Sequence, residues 1–176
     1  MKLKEIKKTL EKYANYVIQQ ARSNLTKDGS NVNKKLYDSL DKNIDSDKKA
    51  IVLNFLMEDY GKFQDQGVKG ANPSSVVNGR QKAPNSNFSF KSKMPPMQPL
   101  ANWAKIRKIR FRDPSGRFAE GDYKRIGFWI QKRIFAQGIE ATSFFSKPFE
   151  QGLIKYQNEL LEAFGNDIDI QLGFKK

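Results

Sequence analysis

Apolar positions recur at alternating steps of three and four from Leu3 through Ile6, Leu10, Tyr13 and Val17, and Ala21 and Leu25 extend the same face. That spacing predicts an amphipathic helix over about Lys2 to Leu25, with Lys2, Lys4, Lys7, Lys8 and Lys12 as a solvated stripe opposite. Lys27-Asp28-Gly29-Ser30-Asn31 breaks the helix with turn formers, and Leu36-Tyr37-Asp38-Ser39-Leu40 follows as a short amphipathic piece. Ala50 to Met57 is short, apolar and β-branched at its start, the pattern of a strand, with Ile44 placed in its hairpin partner. Tyr60 and Phe63, three apart, suit a single helical turn that stops at Gly67.

The pattern changes at Val68. From there to Lys93 the chain is rich in Gly, Asn, Ser, Pro and Lys, and predicts an extended arm or lid that orders on assembly. Met94-Pro95-Pro96-Met97-Gln98-Pro99 then leads stiffly into a helix carrying Leu100, Trp103, Ala104 and Ile106 or Arg107. Residues Phe111 to Phe118 read as a small basic hairpin, because Asp113, Pro114 and Gly116 take the first, second and fourth places of a type I turn. Asp122 caps a helix to Gln137 whose apolar residues lie nearly all round, as in a helix buried on more than one side. Gly138 ends that helix at the position that tolerates the left-handed conformation, and Pro148 opens a last helix to about Phe164. Asp167 to Leu172 alternates at the strand period and is expected to close the sheet.

At 176 residues the chain is expected to form one domain, with a lean core, since its mean hydropathy is only -0.71. Thirty-two Lys and Arg against nineteen Asp and Glu give a net charge of +13, which favours an acidic partner: nucleic acid, an anionic surface or an acidic protein face. The sequence contains no Cys and no His, which removes disulfides, thiol nucleophiles, Cys/His zinc sites and imidazole acid–base chemistry. No apolar run is long enough to span a bilayer and Met1 to Ile6 lacks the middle region of a secretory signal, so a cytosol-like compartment is expected and no membrane partner.

Three groups of residues carry candidate chemistry. Lys105 to Arg112 interleaves cations with apolar residues, and Arg107, Lys108, Arg110, Arg112 and Arg117 could line phosphates or an acidic protein surface. The plainer alternative is a helix end, where cations favour the negative dipole terminus and Ile106, Ile109 and Phe111 face a core. Glu58, Asp59 and Asp65 could be assembled into a Mg²⁺ nuclease site, although no matching acid in a defined context accompanies them, and neither a metal nor another cofactor is expected. Phe144, Phe145 and Phe149 crowd into six residues; adjacent side chains on an extended segment diverge, so one of the pair Phe144 and Phe145 serves the core while the other is offered as a contact.

These pieces, in this order, resemble the head-to-tail joining proteins of tailed bacteriophages, the neck or tail-completion family. Lys35-Leu36-Tyr37-Asp38-Ser39-Leu40 resembles the family's early leucine-x-x-serine-aliphatic piece. Tyr60-Gly61-Lys62-Phe63-Gln64-Asp65-Gln66-Gly67 resembles its aromatic, acidic and glycine corner after a central strand. Trp103 follows in a helix behind the prolines, and Ile134 to Phe149 resembles the family's close, a helix ending Gly-Ile, then aromatics, then a Pro-Phe that opens the last helix. The 68–93 and 111–118 segments exceed the family's core, so their roles do not carry over.

The resemblance implies a non-enzymatic structural protein of the virion, made in the host bacterial cytoplasm and assembled as a homo-oligomeric ring between portal and tail. Its implied partners are portal or adaptor proteins and tail proteins, with packaged double-stranded DNA in the channel as a further candidate. With the elements above, it implies an α+β fold: a small antiparallel sheet against a long N-terminal helix and C-terminal helices, with a long inserted arm. The subunit contacts expected are Trp103, Phe144, Phe145 and Phe149, with Asn72, Val76, Val77, Phe88 and Phe90 from the arm. A free basic nucleic-acid-binding protein or assembly factor is the alternative that the charge alone supports.

Overall fold

The three-four periodicity is realised as α1 (Lys4–Lys27), which turns Ile6, Thr9, Tyr13, Ala14, Val17, Ile18, Ala21 and Leu25 inward. The computed structural model describes residues 4–29, 34–46, 50–71, 81–112, 115–118 and 122–169. It is α+β, with two small antiparallel strand pairs, a long N-terminal helix and C-terminal helices. Where the length suggests one domain, the chain divides into two compact units: residues 1–61 with 143–176, and residues 62–142.

In the first unit α2 (Lys35–Ser39) is followed by the antiparallel hairpin of β1 (Asp41–Ser46) and β2 (Ile51–Leu56), in register from Asp41 opposite Leu56 to Ser46 opposite Ile51. Ile44 sits opposite Leu53, in the hairpin partner expected for it. The strand period makes Ile51, Leu53 and Phe55 the more covered positions of β2 and leaves Val52, Asn54 and Leu56 outside. α6 (Ser146–Asp169) packs along α1. Ile18, Ala21, Leu25, Leu36, Leu40 and Phe144 form the core, with Tyr37, Phe55, Met57 and Phe145 against it.

Aromatic rings knit the helices to the hairpin. Tyr13 meets Phe55, Phe149 and Tyr156 edge-on at 6.1, 5.9 and 6.3 Å, and its hydroxyl donates to the Phe149 carbonyl at 3.3 Å. Burial pushes the Tyr13 hydroxyl pKa up from 10.0 to about 12. Arg22 holds α2 in place by donating to the carbonyls of Tyr37 and Leu40 at 3.1 and 3.0 Å while its guanidinium lies over the Tyr37 ring.

Asp167 corrects one expectation. The alternation from Asp167 to Leu172 predicts a strand, but α6 continues as helix to Asp169, and Ile170 to Leu172 lie outside the described residues. The helical path turns Asp167 inward, where its buried carboxylate accepts the Ile6 N–H in the first turns of α1 at 3.0 Å. A carboxylate is favoured there because the N–H groups at a helix N-terminus have no partner within the helix.

The second unit holds α3 (Gly61–Gln66) except its first residue, β3 (Val68–Lys69), α4 (Met97–Ile106), α5 (Tyr123–Gln137) and β4 (Gly138–Ile139). β3 pairs antiparallel with β4, Val68 opposite Ile139, and Lys69 bridges Ser89 in parallel. The described parts of the 68–93 segment are therefore not a free arm. Lys69 N–H donates to the Phe88 carbonyl and Phe90 N–H to the Lys69 carbonyl at 2.8 and 2.9 Å, while Val68, Ala83 and Ser86 are buried. Backbone pairing fixes this polar stretch where apolar periodicity gives no sign of it.

Gly138 ends α5 for a different reason from the one its position suggests. Its φ of 89° and ψ of -171° lie in an extended region open almost only to glycine, not in the left-handed helical one. A Cβ there would also stand 2.0 Å from the Val68 carbonyl oxygen, so glycine is what allows β4 to approach β3. Gly127 plays the matching role between helices: a Cβ on it would lie 2.8 Å from the Ala101 methyl, and the two small residues let α4 and α5 pack closely.

Candidate aromatic and cationic interaction site

Small residues bring α4 and α5 together and the large ones are left at the surface. Ala101, Ala104, Ile126 and Ala136 are buried, whereas Trp103, Ile106, Phe111, Phe118, Phe128 and Trp129 are exposed. Trp129 is half exposed, at 50%. The expectation that α5 is buried on more than one side is corrected here: only Ile126, Gly127, Ala136 and Gln137 are buried on it. Its N-terminus is as the sequence predicts, with the Asp122 carboxylate accepting the Lys124 N–H at 2.9 Å.

Between the two helices lies a cleft of about 340 Å³, walled by Trp103, Ile109, Phe111, Trp129, Ile130 and Ile134, with Lys82 and Arg133 among its polar lining. Phe111 meets Trp129 edge-on at 6.1 Å. Arg133 lies 5.3 Å over the Trp129 ring and donates to the buried Gln137 Oε1 at 3.2 Å; Lys132 lies 4.6 Å over Phe128.

The end of α4 aims Ile109 into this wall. Lys108 N–H donates to the Lys105 carbonyl and Ile109 N–H to the Ala104 carbonyl, at 3.1 and 2.9 Å, the paired bonds of a Schellman close. Such a close needs a positive φ after the cap, and Lys108 supplies it at 53° where glycine is usual. The basic run from Lys105 to Arg112 is thus bent, not one continuous helix. Beyond the bend Arg112 pairs with Phe118 in an antiparallel bridge, lies 4.6 Å over the Phe118 ring and donates to the Gly116 carbonyl at 3.1 Å. Asp113 and Pro114, which define the expected turn, lie outside the described residues.

All five expected contact cations, Arg107, Lys108, Arg110, Arg112 and Arg117, are exposed in this unit. Residues 62–142 hold sixteen Lys and Arg against five Asp and Glu, a net +11, and the rest of the chain holds sixteen against fourteen. Nearly all the surplus charge belongs to the unit that holds most of the exposed aromatics.

The aromatic residues expected at a subunit contact are divided between the two units. Trp103 walls the cleft, at the surface. Phe144 is 0% exposed in the first unit's core, where it cannot reach another molecule without unfolding, and its carbonyl accepts from Asn24 at 3.2 Å. Phe145 and Phe149 are half-buried against Phe55. Phe88 and Phe90 are half-buried against Phe63 and Phe135, while Asn72, Val76 and Val77 lie outside the described residues. Ile106, Phe111, Phe118, Phe128 and Trp129 fall outside the contact set that the sequence predicts; the surplus of large residues around α5 is the signal for two of them.

Among the described residues no three His, Cys, Asp or Glu side chains gather as a metal site; Glu58 instead pairs with Lys35 at 3.2 Å and Asp65 is buried. No described helix is long and apolar enough to cross a membrane. No protein-family model matches the chain, and no curated protein or solved structure matches it significantly.

Proposed function

We propose that this chain is a structural subunit of a tailed-phage particle, a neck or tail-completion ring protein that joins the portal to the tail around the DNA channel. The carrying observation is the face of residues 62–142, where large apolar rings and cations are exposed side by side. Large exposed apolar patches mark interaction sites, and enrichment in Trp, Phe and Arg is the composition of protein interfaces. The order of the motifs from Leu36 to Phe149 supports the choice of the neck family. In this reading the cations meet acidic surfaces of portal, adaptor or tail proteins, or the packaged DNA. Quantitative mass spectrometry of purified particles tests it: a fixed small-integer ratio of this chain to the portal subunit is expected, and absence from particles overturns the assignment.

The concentration of charge in one unit favours one second reading, a free basic nucleic-acid-binding protein. It requires DNA affinity that falls steeply with salt, with a shallower slope once Arg110, Arg112 and Arg117 are replaced by Ser. An unchanged slope removes that patch from DNA contact.

A further inference from the structure

Among the described residues of 62–142, three cations lie over exposed rings: Arg112 over Phe118 and Lys132 over Phe128, each at 4.6 Å, and Arg133 over Trp129 at 5.3 Å. Each pair sets a flat apolar surface beside a positive charge. One of the three borders the cleft, where Arg133 and Lys82 share the lining with Trp103, Phe111 and Trp129. The described residues that line it include no Asp and no Glu, so an entering anion meets cations and no carboxylate. Arg110 and Arg112 flank Phe111 along the chain, and both are exposed.

These features select an occupant. A cleft of about 340 Å³ is at the small end of ligand sites, with walls of Trp and Phe suited to the face of a flat ring and cations at its edge suited to a phosphate. A nucleotide joins a flat ring to an anion, and a nucleic-acid strand repeats that unit. The strand thus matches both the recurring ring–cation pairs and the net +11 of residues 62–142. A duplex keeps its base faces within its own stack and offers only edges and phosphates, so the aromatic walls add nothing to duplex binding. An acidic protein segment satisfies the cations but brings no flat partner for the rings.

We infer that the α4–α5 cleft and the cations beside it bind single-stranded nucleic acid, with a base against the Trp and Phe walls and phosphates on Arg133 and Lys82. This deepens the nucleic-acid reading given above and rests on it; it does not depend on the neck assignment.

The chain carries its own reporter, because its two Trp both line the cleft. Titrating the full chain with an oligothymidylate of about sixteen nucleotides should quench Trp fluorescence, with affinity about tenfold or more above that for a duplex of the same length. Trp129→Ala should weaken strand binding about tenfold and leave the slope of log affinity against log salt unchanged, with Trp103→Ala as the second variant should the first misfold. Replacing Lys82 and Arg133 by Gln should make that slope shallower by about 0.7 for each cation lost. Equal affinity for strand and duplex without quenching overturns the inference while the nucleic-acid reading stands, and binding to neither overturns both. Strand binding unchanged in both Trp variants overturns it as well, as does displacement of the strand by polyglutamate at matched charge, which would mark a site for acidic protein.

Discussion

The largest aromatic clusters of the two units are used differently. In the first, near neutral, Tyr13, Phe55, Phe144, Phe145, Phe149 and Tyr156 face one another and hold helices to a hairpin. In the second, strongly basic, alanine and glycine make the helix contact while Trp103, Phe111, Phe118, Phe128 and Trp129 face outward among cations. The same residue types thus pack the core of the first unit and, around α4 and α5, stand at the surface of the second. Burial, not composition, separates the two uses.

The largest test of that contrast sets Phe144→Ala against Trp129→Ala. Removing a fully buried ring should cost about 3–5 kcal/mol of stability in denaturant melts, whereas removing the half-exposed Trp129 should cost less than about 1 kcal/mol. Equal losses would mean that the exposed face is structural. Asp167→Ala should follow at about 1.5–3 kcal/mol, since it strips a charge-assisted bond from α1. A neutral result would show that the buried carboxylate does not hold α6 to α1.

Alkali sharpens the comparison further. Because the folded chain keeps the Tyr13 proton to about pH 12 while the unfolded chain releases it near 10, this group's contribution is intact below pH 10 and is lost as pH rises towards 12. Tyr13→Phe should flatten that part of the stability curve, and an unchanged slope would place the titration elsewhere. The smallest effect belongs to the second unit: Lys108→Gly should raise stability by about 0.5–1 kcal/mol by relieving the positive φ. A loss there would show that the lysine side chain contributes more than its backbone costs.

Local periodicity made much of the fold legible. The face from Ile6 to Leu25, the pairing of Ile44 with the 51–56 strand, the Asp122 cap and the proline-led α4 each depend on neighbours within a few residues. What could not be read depends on distant partners. β3 and β4 are two residues each, too short to show a period, and they find each other across some seventy residues. Asp167 is drawn inward by Ile6, 161 positions away, against its own strand-like alternation. The candidate site is half legible: the sequence points to the cations and Trp103, but Phe128 and Trp129 read as core because an exposed apolar residue on a helix has the same sequence signature as a buried one. Phe144 shows the reverse, a clasp residue that its own core fully occupies.

The proposed role requires that the outward face of the second unit serve assembly and not stability. The most direct measurement is the copy number of a Trp103→Ser, Trp129→Ser chain, relative to the portal subunit, in particles purified from cells that make only this version. A folded chain that is missing from particles or strongly depleted in them is the expected result. Incorporation at the wild-type ratio, with normal tailed particles, would contradict it.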